Sequence, residues 1–143
     1  IDEKPMLHPE YGTEGFERIY DENGKVIRSI SLGVDEKPML HPEYGYAGYE
    51  QSYDENGNVI RSIAFGIDEK PMLDPEYGYA GFAQSYDENG NITRCIYLGI
   101  DEKPMIHPKE NRAGWKRTYD SKGSVIEELS LDMNEAIIYE NKK

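Results

Sequence analysis

The chain has 143 residues, of which 37% are hydrophobic, and it carries a net charge of -12 at pH 7. This acidity repels nucleic-acid phosphates and anionic lipid headgroups, and no apolar run reaches the roughly 18 residues that a membrane-spanning helix needs. We therefore expect neither a nucleic-acid partner nor insertion into a membrane. The small apolar fraction argues against a thick core, so we predict an elongated protein whose candidate partners are basic proteins, cations or neutral glycans.

The sequence repeats itself with a period of 33 residues. Neighbouring copies differ mainly by exchanges that keep size and apolarity, such as Val34 for Ile67, which indicates equivalent packing sites. The fourth copy departs most from the others and is more polar, as expected at the end of an array. We therefore predict a single repeat array over 1–143, made of units 1–33, 34–66, 67–99 and 100–132 and a partial capping unit 133–143.

Each unit begins its regular structure with two strands joined by a tight turn. In the second unit, alternation of side chains predicts a strand over 46–53, the segment 54–57 has the composition of a type I turn closed by a left-handed glycine, and 58–65 reads as the returning strand. Two positions of the first strand are aromatic in every unit. They predict a continuous stripe on one face that neighbouring units bury by stacking, formed by Phe16, Tyr49, Phe82 and Trp115 at one position and by Tyr20, Tyr53, Tyr86 and Tyr119 at the other.

The rest of the unit connects one hairpin to the next. Residues 66–71 predict a second reversal, Met72–Leu73 a short third strand led by a proline that has no N–H to donate, and 74–78 a loop. No helical periodicity of any length is present. The fold class is therefore all-β, with tandem β-hairpins arranged either as an elongated β-solenoid or as an extended meander sheet.

Tyrosine is the most suggestive residue type, with twelve tyrosines against three phenylalanines. The loop tyrosines are expected to be exposed, and those that open the first strand are expected on the face opposite the aromatic stripe. Rigid rings with a hydroxyl suit sugars and extended peptides. The alternative is that they stack between units and shield the sheet. The candidate ligand-binding residues are Tyr11, Tyr44, Tyr46, Tyr77 and Tyr79.

The hairpin turn also presents oxygens at alternate positions, Asp54, Asn56 and Asn58, which raises a calcium-stabilised repeat as an alternative. The glycine comes fourth and no bidentate glutamate follows, so turn chemistry is the favoured interpretation. The other polar motifs receive structural interpretations as well. The Asp-Glu pairs, such as Asp68–Glu69, are interpreted as solvated turns. Cys95, whose equivalents in the other units are Ser29, Ser62 and Glu128, is interpreted as a small strand residue.

The recurring histidines are expected to be solvated loop residues, because their spacing of one per unit is too wide for shared metal coordination. They are His8, His41 and His107. The sequence contains no nucleophile elbow, phosphate loop or Cys/His metal pattern. No catalytic residue, resident cofactor or metal ligand is therefore predicted.

The residues Gly48, Tyr53–Asp54 and Gly57–Val59, with their counterparts in the other units, resemble the Tyr-Asp (YD, RHS-type) hairpin repeats of large bacterial secreted and surface proteins. That resemblance implies hairpins wound into extended or shell-like sheets that display or enclose other segments, with no active site in the repeats. The segment Asp35–Met39, which is identical in all four units, lies outside the usual pattern and favours an open array over a shell.

The functional expectation is a non-enzymatic structural or display segment of a larger bacterial protein, outside the cell or at its surface, that is able to mediate protein interaction. The chain starts at a unit boundary and stops inside a fifth unit, which favours a piece of a longer polypeptide. Two alternatives stay open: a module that binds glycans or cell-wall polymers through its tyrosines, and a calcium-stabilised repeat.

Overall fold

A computed structural model describes residues 15–139 of the chain, which form eight β-strands and no helix. Each strand pairs antiparallel with the next one along the chain, so that the strands make one open meander sheet, roughly 34 Å across its eight strands. The strands are β1 (Gly15–Tyr20), β2 (Val26–Leu32), β3 (Gly48–Tyr53), β4 (Val59–Phe65), β5 (Gly81–Tyr86), β6 (Ile92–Leu98), β7 (Gly114–Tyr119) and β8 (Val125–Leu131). The predicted all-β class is confirmed. Within this described part, no helix is long and apolar enough to cross a membrane.

The tight turn inside each hairpin is built as the sequence predicts. The Gly57 N–H donates to the Asp54 carbonyl oxygen at 3.0 Å, and Gly57 has a φ of 85°, the left-handed conformation that favours glycine. The pairing of β3 with β4 shifts register between Ser52 and Tyr53, which is a β-bulge beside the turn. The first strand starts at Gly48, two residues later than predicted, because residues 45–47 form a bend.

The second reversal, between hairpins, is also present. The Glu69 N–H donates to the Gly66 carbonyl oxygen at 2.9 Å, and Glu69 has a φ of 62°. The predicted third strand at Met72–Leu73 is wrong, since the chain makes only a single bridge between Phe65 and Pro71. Pro71 lacks an N–H, and after the bond from the Met72 N–H to the Ala64 carbonyl oxygen the chain turns away into the next loop.

The two faces of the sheet differ in character. One face, which we call the core face, holds a run of aliphatic side chains, together with Phe65, that are at most 7% exposed: Ile30, Leu32, Ile63, Phe65, Ile96, Leu98 and Leu131. The opposite face, the aromatic face, carries the predicted stripe. Its rings do not follow one another directly, because Tyr49 lies opposite Ser29 on one neighbouring strand and Ala64 on the other. Small side chains therefore separate Tyr49 from its neighbours in the stripe, whereas Phe82 lies opposite Tyr97 on β6. Trp115 is buried, and Phe16, Tyr49 and Phe82 are partly buried.

Neighbouring hairpins approach each other closely where a glycine opens each new hairpin. A Cβ atom added to Gly48 would lie 2.1 Å from the Ser29 carbonyl oxygen, and one added to Gly81 would lie 1.9 Å from that of Ser62. Gly114 makes the same approach to Cys95, at 2.2 Å. Only a residue without a side chain permits this backbone contact, so the glycine fixes the junction between hairpins.

A tyrosine hydroxyl joins each hairpin to the one before it. The Tyr53 hydroxyl donates to the Val26 carbonyl oxygen at 2.6 Å, and the Tyr86 hydroxyl donates to that of Val59 at 2.7 Å. Tyr119 makes the corresponding bond to Ile92. This inter-hairpin bond gives a physical reason for tyrosine, in place of phenylalanine, directly before the Asp of the turn.

A second set of contacts crosses the core face. An arginine of one hairpin forms an ion pair with the left-handed glutamate that follows the next hairpin. Arg28 and Glu69 lie 2.6 Å apart, and the Arg28 guanidinium also lies 4.6 Å from the centre of the Phe65 ring. The full set of these pairs is Arg28–Glu69, Arg61–Glu102 and Arg94–Glu135. Exposed pairs contribute little energy singly, but their repetition holds successive hairpins in one orientation.

The close approach at the hairpin junction leads to a first prediction. Gly81→Ala places a methyl group against the Ser62 carbonyl oxygen and is expected to lower the free energy of unfolding by about 3 kcal/mol, because backbone must move to admit it. Gly66→Ala is the matched control, since the nearest atoms to its added Cβ lie 3.4 Å away. Urea unfolding followed by circular dichroism measures both variants, and equal losses would contradict the junction argument.

Candidate binding grooves on the aromatic face

A short loop positions the candidate tyrosines before each new hairpin. The loop closes through the Gly45 N–H, which donates to the His41 carbonyl oxygen at 2.8 Å, and the His41 N–H donates to that of Tyr46 at the same distance. The rings then form a stack: His41 lies 4.2 Å from Tyr44, and Tyr44 lies 5.6 Å from Tyr46, measured between ring centres. The loop therefore presents two tyrosines as one rigid aromatic unit.

The residue that opens this loop acts as an acceptor for backbone N–H groups. Asp74 Oδ1 accepts from the Glu76 N–H at 2.8 Å, and in the equivalent loop His41 Nδ1 accepts from the Glu43 N–H at 3.1 Å. His107 Nδ1 does the same. His41 is 2% exposed and His107 8%, so the prediction of solvated histidines is wrong for both. They are buried because the ring nitrogen takes the place of an aspartate oxygen inside the turn.

Two grooves run along the aromatic face beside these loops. Groove 1 has a volume of about 230 Å³ and lies between Phe16, Tyr44, Tyr46 and Tyr49. Its floor is made by the small side chains of β2, Ser29 and Ser31. Groove 2 has a volume of about 360 Å³ and occupies the equivalent place one period further along; it is lined by Tyr46, Tyr49, Ser62, Ala64, Asp74, Tyr77, Tyr79 and Phe82.

Tyr46 and Tyr49 line both grooves, so the grooves adjoin each other. Burial in this wall raises the pKa of Tyr46 to about 12, and the Asp74 carboxylate adds to the effect. Burial likewise raises the pKa of Tyr79 to about 12. Both hydroxyls therefore stay protonated at neutral pH and are uncharged hydrogen-bonding groups in the groove walls.

The candidate tyrosines are only partly where the sequence places them. Tyr44 and Tyr77 are 48% and 52% exposed, which confirms the prediction for the loop tyrosines. Tyr46 and Tyr79 are half-buried and share the aromatic face with the stripe, so their predicted place on the opposite face is wrong. The bend at 45–47 breaks the strand alternation on which that prediction depended. Tyr11 and His8 lie outside the described residues.

The equivalent position one further period along is filled by the chain itself. Tyr97 stands where Ser31 and Ala64 form the floors of the two grooves, and it is 6% exposed. Its hydroxyl donates to Glu110 Oε1 at 2.6 Å, and its ring lies 5.0 Å from that of Tyr79. Burial and this carboxylate raise the pKa of Tyr97 above its ordinary value. Sequence reasoning missed this closure, although the replacement of Ala64 by tyrosine was its visible signal.

The residues around Tyr97 complete the closure. Cys95 is 5% exposed on β6, which confirms its interpretation as a structural strand residue, and burial raises the pKa of its thiol to about 11. Arg112 replaces the groove tyrosine of the other loops and pairs with Glu110 at 2.9 Å and Glu128 at 2.9 Å. This ion-pair network covers the third equivalent position, whereas the tyrosine pairs leave grooves 1 and 2 open.

A further cavity lies between the first two hairpin turns and is an open polar trough of about 660 Å³. Asp54, one of its lining residues, belongs to the calcium motif. Asp54 Oδ1 accepts from the Asn56 and Asn58 N–H groups, both at 2.9 Å, and Oδ2 accepts from Asn58 Nδ2 at 3.2 Å. These bonds lower the pKa of Asp54 and engage both of its oxygens within the turn. Across residues 15–139, no group of three or more His, Cys, Asp or Glu side chains is arranged to hold a metal ion.

Comparison with known proteins adds no family assignment. No protein-family model matches the chain, and no curated protein matches it in sequence.

The loop acceptor supplies a second prediction. Asp74→Ala removes the acceptor for the Glu76 and Tyr77 N–H groups and is expected to cost about 1 kcal/mol of unfolding free energy. Asp74→His should retain most of that stability, because histidine fills the same role at position 41. Urea unfolding of the two variants tests the equivalence; a histidine variant as unstable as the alanine variant would show that Nδ1 does not replace the carboxylate oxygen.

The hairpin turns supply a third prediction, on pH. The folded-state pKa values of Asp54 and Asp87 are lowered, mainly by the backbone N–H groups of Asn58 and Asn91. The ionised carboxylates therefore add stability above the unfolded-state pKa, and this stability is lost as pH falls through the folded-state values. The double variant Asp54→Asn/Asp87→Asn should melt below the wild type at pH 7, and the difference in melting temperature should shrink toward pH 3. A difference that is constant with pH would contradict this origin.

Proposed function

We propose that this chain is a non-enzymatic structural and display segment of a larger bacterial protein, outside the cell or at its surface. In this proposal the 33-residue unit is the building block of an array that keeps its surface features in register, and the terminal residues cap it. The YD-type resemblance supports this assignment of class and location. A longer array of the same twisted sheet would coil toward the solenoid form.

The observation that carries the proposal is the repetition of one junction between hairpins. Three contacts recur at the β2–β3, β4–β5 and β6–β7 boundaries. They are the close backbone contact at the glycine, the hydrogen bond from the tyrosine hydroxyl and the arginine–glutamate ion pair. A junction that depends only on the adjacent hairpin can be added any number of times. It therefore suits a role in which length and periodic presentation matter.

The grooves favour a second candidate function, a module that engages a ligand through its tyrosines. Two adjoining grooves with stacked, half-buried rings offer flat apolar surface with hydroxyl groups at the rim. Glycans and cell-wall polymers, as well as extended peptides, present surfaces of this kind. Groove binding and display are compatible in one array.

An added unit tests the structural proposal and is our fourth prediction. A variant that carries a second copy of residues 67–99 directly after residue 99 should have a maximum dimension larger by about 10 Å, the width of two strands, and a higher melting temperature. Small-angle scattering and calorimetry measure these two properties. A variant with two separate melting transitions would contradict an array stabilised by neighbouring units.

A further inference from the structure

We propose that grooves 1 and 2 together bind a basic, proline-rich peptide in the polyproline II conformation, lying across the strands of the aromatic face. This inference rests on the proposed function only in that it names a partner for the displayed face. The class of partner follows from three features of the grooves: their spacing, the shape of their walls and their charge.

The spacing of the grooves matches the period of a polyproline II helix. The grooves are related by one 33-residue period, which advances the sheet by two strands, or about 9.6 Å at 4.8 Å per strand. A polyproline II helix has three residues per turn and a rise of 3.1 Å per residue, so it repeats every ~9.3 Å. Residues i and i+3 of such a peptide would therefore enter the two grooves in the same way.

The walls have the shape that proline rings need. Each groove is bounded by a tyrosine pair in parallel stacking, with ring centres 5.6 Å apart for Tyr44 and Tyr46 and 5.8 Å apart for Tyr77 and Tyr79. Rigid aromatic walls of this kind accept proline-rich segments, because the preformed peptide loses little conformational entropy on binding.

The charge around the grooves favours a cationic ligand. Asp74 lines groove 2, and the exposed Glu43 and Glu76 lie next to the exposed tyrosines, on a chain of net charge -12. Groove 1 itself contains a cation, Arg18, which is held over the Phe16 ring at 4.7 Å and donates from Nε to Ser29 Oγ at 3.3 Å. The basic residues of the ligand would therefore pair with Asp74 in groove 2 and with the loop glutamates. Arginines or lysines between the prolines of a ligand would form ion pairs with the carboxylates, whereas a neutral glycan carries no charge to pair with them.

Tyr97 limits the length of the ligand. Because it fills the third equivalent position, the peptide has two open grooves and meets an ion-paired surface at Arg112 beyond them. The binding segment therefore needs two turns of polyproline II, with prolines three residues apart and a basic residue in each turn.

The test, our fifth prediction, is a titration of the full chain with a fluorescein-labelled peptide made of three Pro-Pro-Arg triplets, followed by fluorescence polarisation. We expect saturable binding that weakens at least tenfold in Tyr46→Ala, because Tyr46 lines both grooves. Ala64→Tyr should have a similar effect, because it introduces into groove 2 the ring that fills the third position. Tyr139→Ala is the matched control, since Tyr139 is 85% exposed and lies outside the grooves.

Two further ligands decide between this proposal and its competitors. A peptide of three Gly-Gly-Arg triplets keeps the charge but not the conformation, and is expected to bind at least tenfold more weakly; equal binding would overturn the proposal in favour of plain electrostatics. Binding of chito- or cello-oligosaccharides in place of the proline peptide would overturn it in favour of a glycan site. The lengthened variant could show the expected larger dimension and a single melting transition while the chain binds no peptide. That result would refute this inference alone and leave the structural role intact.

Tyr77→Ala guards against loss of folding as an explanation. Tyr77 is exposed in its loop, so the variant should melt close to the wild type, and calorimetry can check this directly. It is expected to weaken peptide binding several-fold by removing one wall of groove 2. Unchanged binding in a folded Tyr77→Ala protein would contradict the placement of the peptide.

Discussion

The close backbone contact at each hairpin junction sets how successive hairpins pair. The strands of adjacent hairpins pair over only three residues, Arg28–Ile30 with Gly48–Glu50 at the first junction. So short a ladder gives weak specificity of register by itself. The absent side chain at Gly48 lets the backbones meet, and the Tyr53 hydroxyl and the Arg28–Glu69 pair then fix the angle between hairpins from the two faces. Every longer-range feature, including the alignment of the loops, follows from that repeated geometry.

The aromatic face illustrates how a regular scaffold can carry irregular surface chemistry. The backbone positions at 31, 64 and 97 are equivalent in the sheet, yet serine and alanine leave a groove where tyrosine fills one. Because each junction is determined by other residues, this position is free to vary without disturbing the fold. The array can therefore open or close a site in one unit independently of its neighbours, which is the property expected of a display scaffold.

The first residue of each loop between hairpins can also vary without loss of its structural role. Asp74, His41 and His107 differ in charge and size, but each places an acceptor where it can receive the N–H groups of the following residues. The chemistry that matters at this position is an acceptor held at short range by a closed loop. A histidine there is a structural residue: the His41 ring stacks on Tyr44 of its own loop and on Phe16 of the preceding hairpin.

The local structure could be predicted from residue patterns alone: the two strands of each unit, the turn at Asp54–Gly57 and the all-β class. Side-chain alternation and turn chemistry act between residues that are close in the chain, so both are visible in the sequence. It also named Tyr44 and Tyr77 as exposed rings. It did not determine the face of Tyr46 and Tyr79, the burial of His41 or the absence of a strand at Met72–Leu73. Those were decided by the tertiary structure, because each depends on contacts with a neighbouring hairpin or on a bend that interrupts the strand period, and neither is expressed in the spacing of residues along the chain.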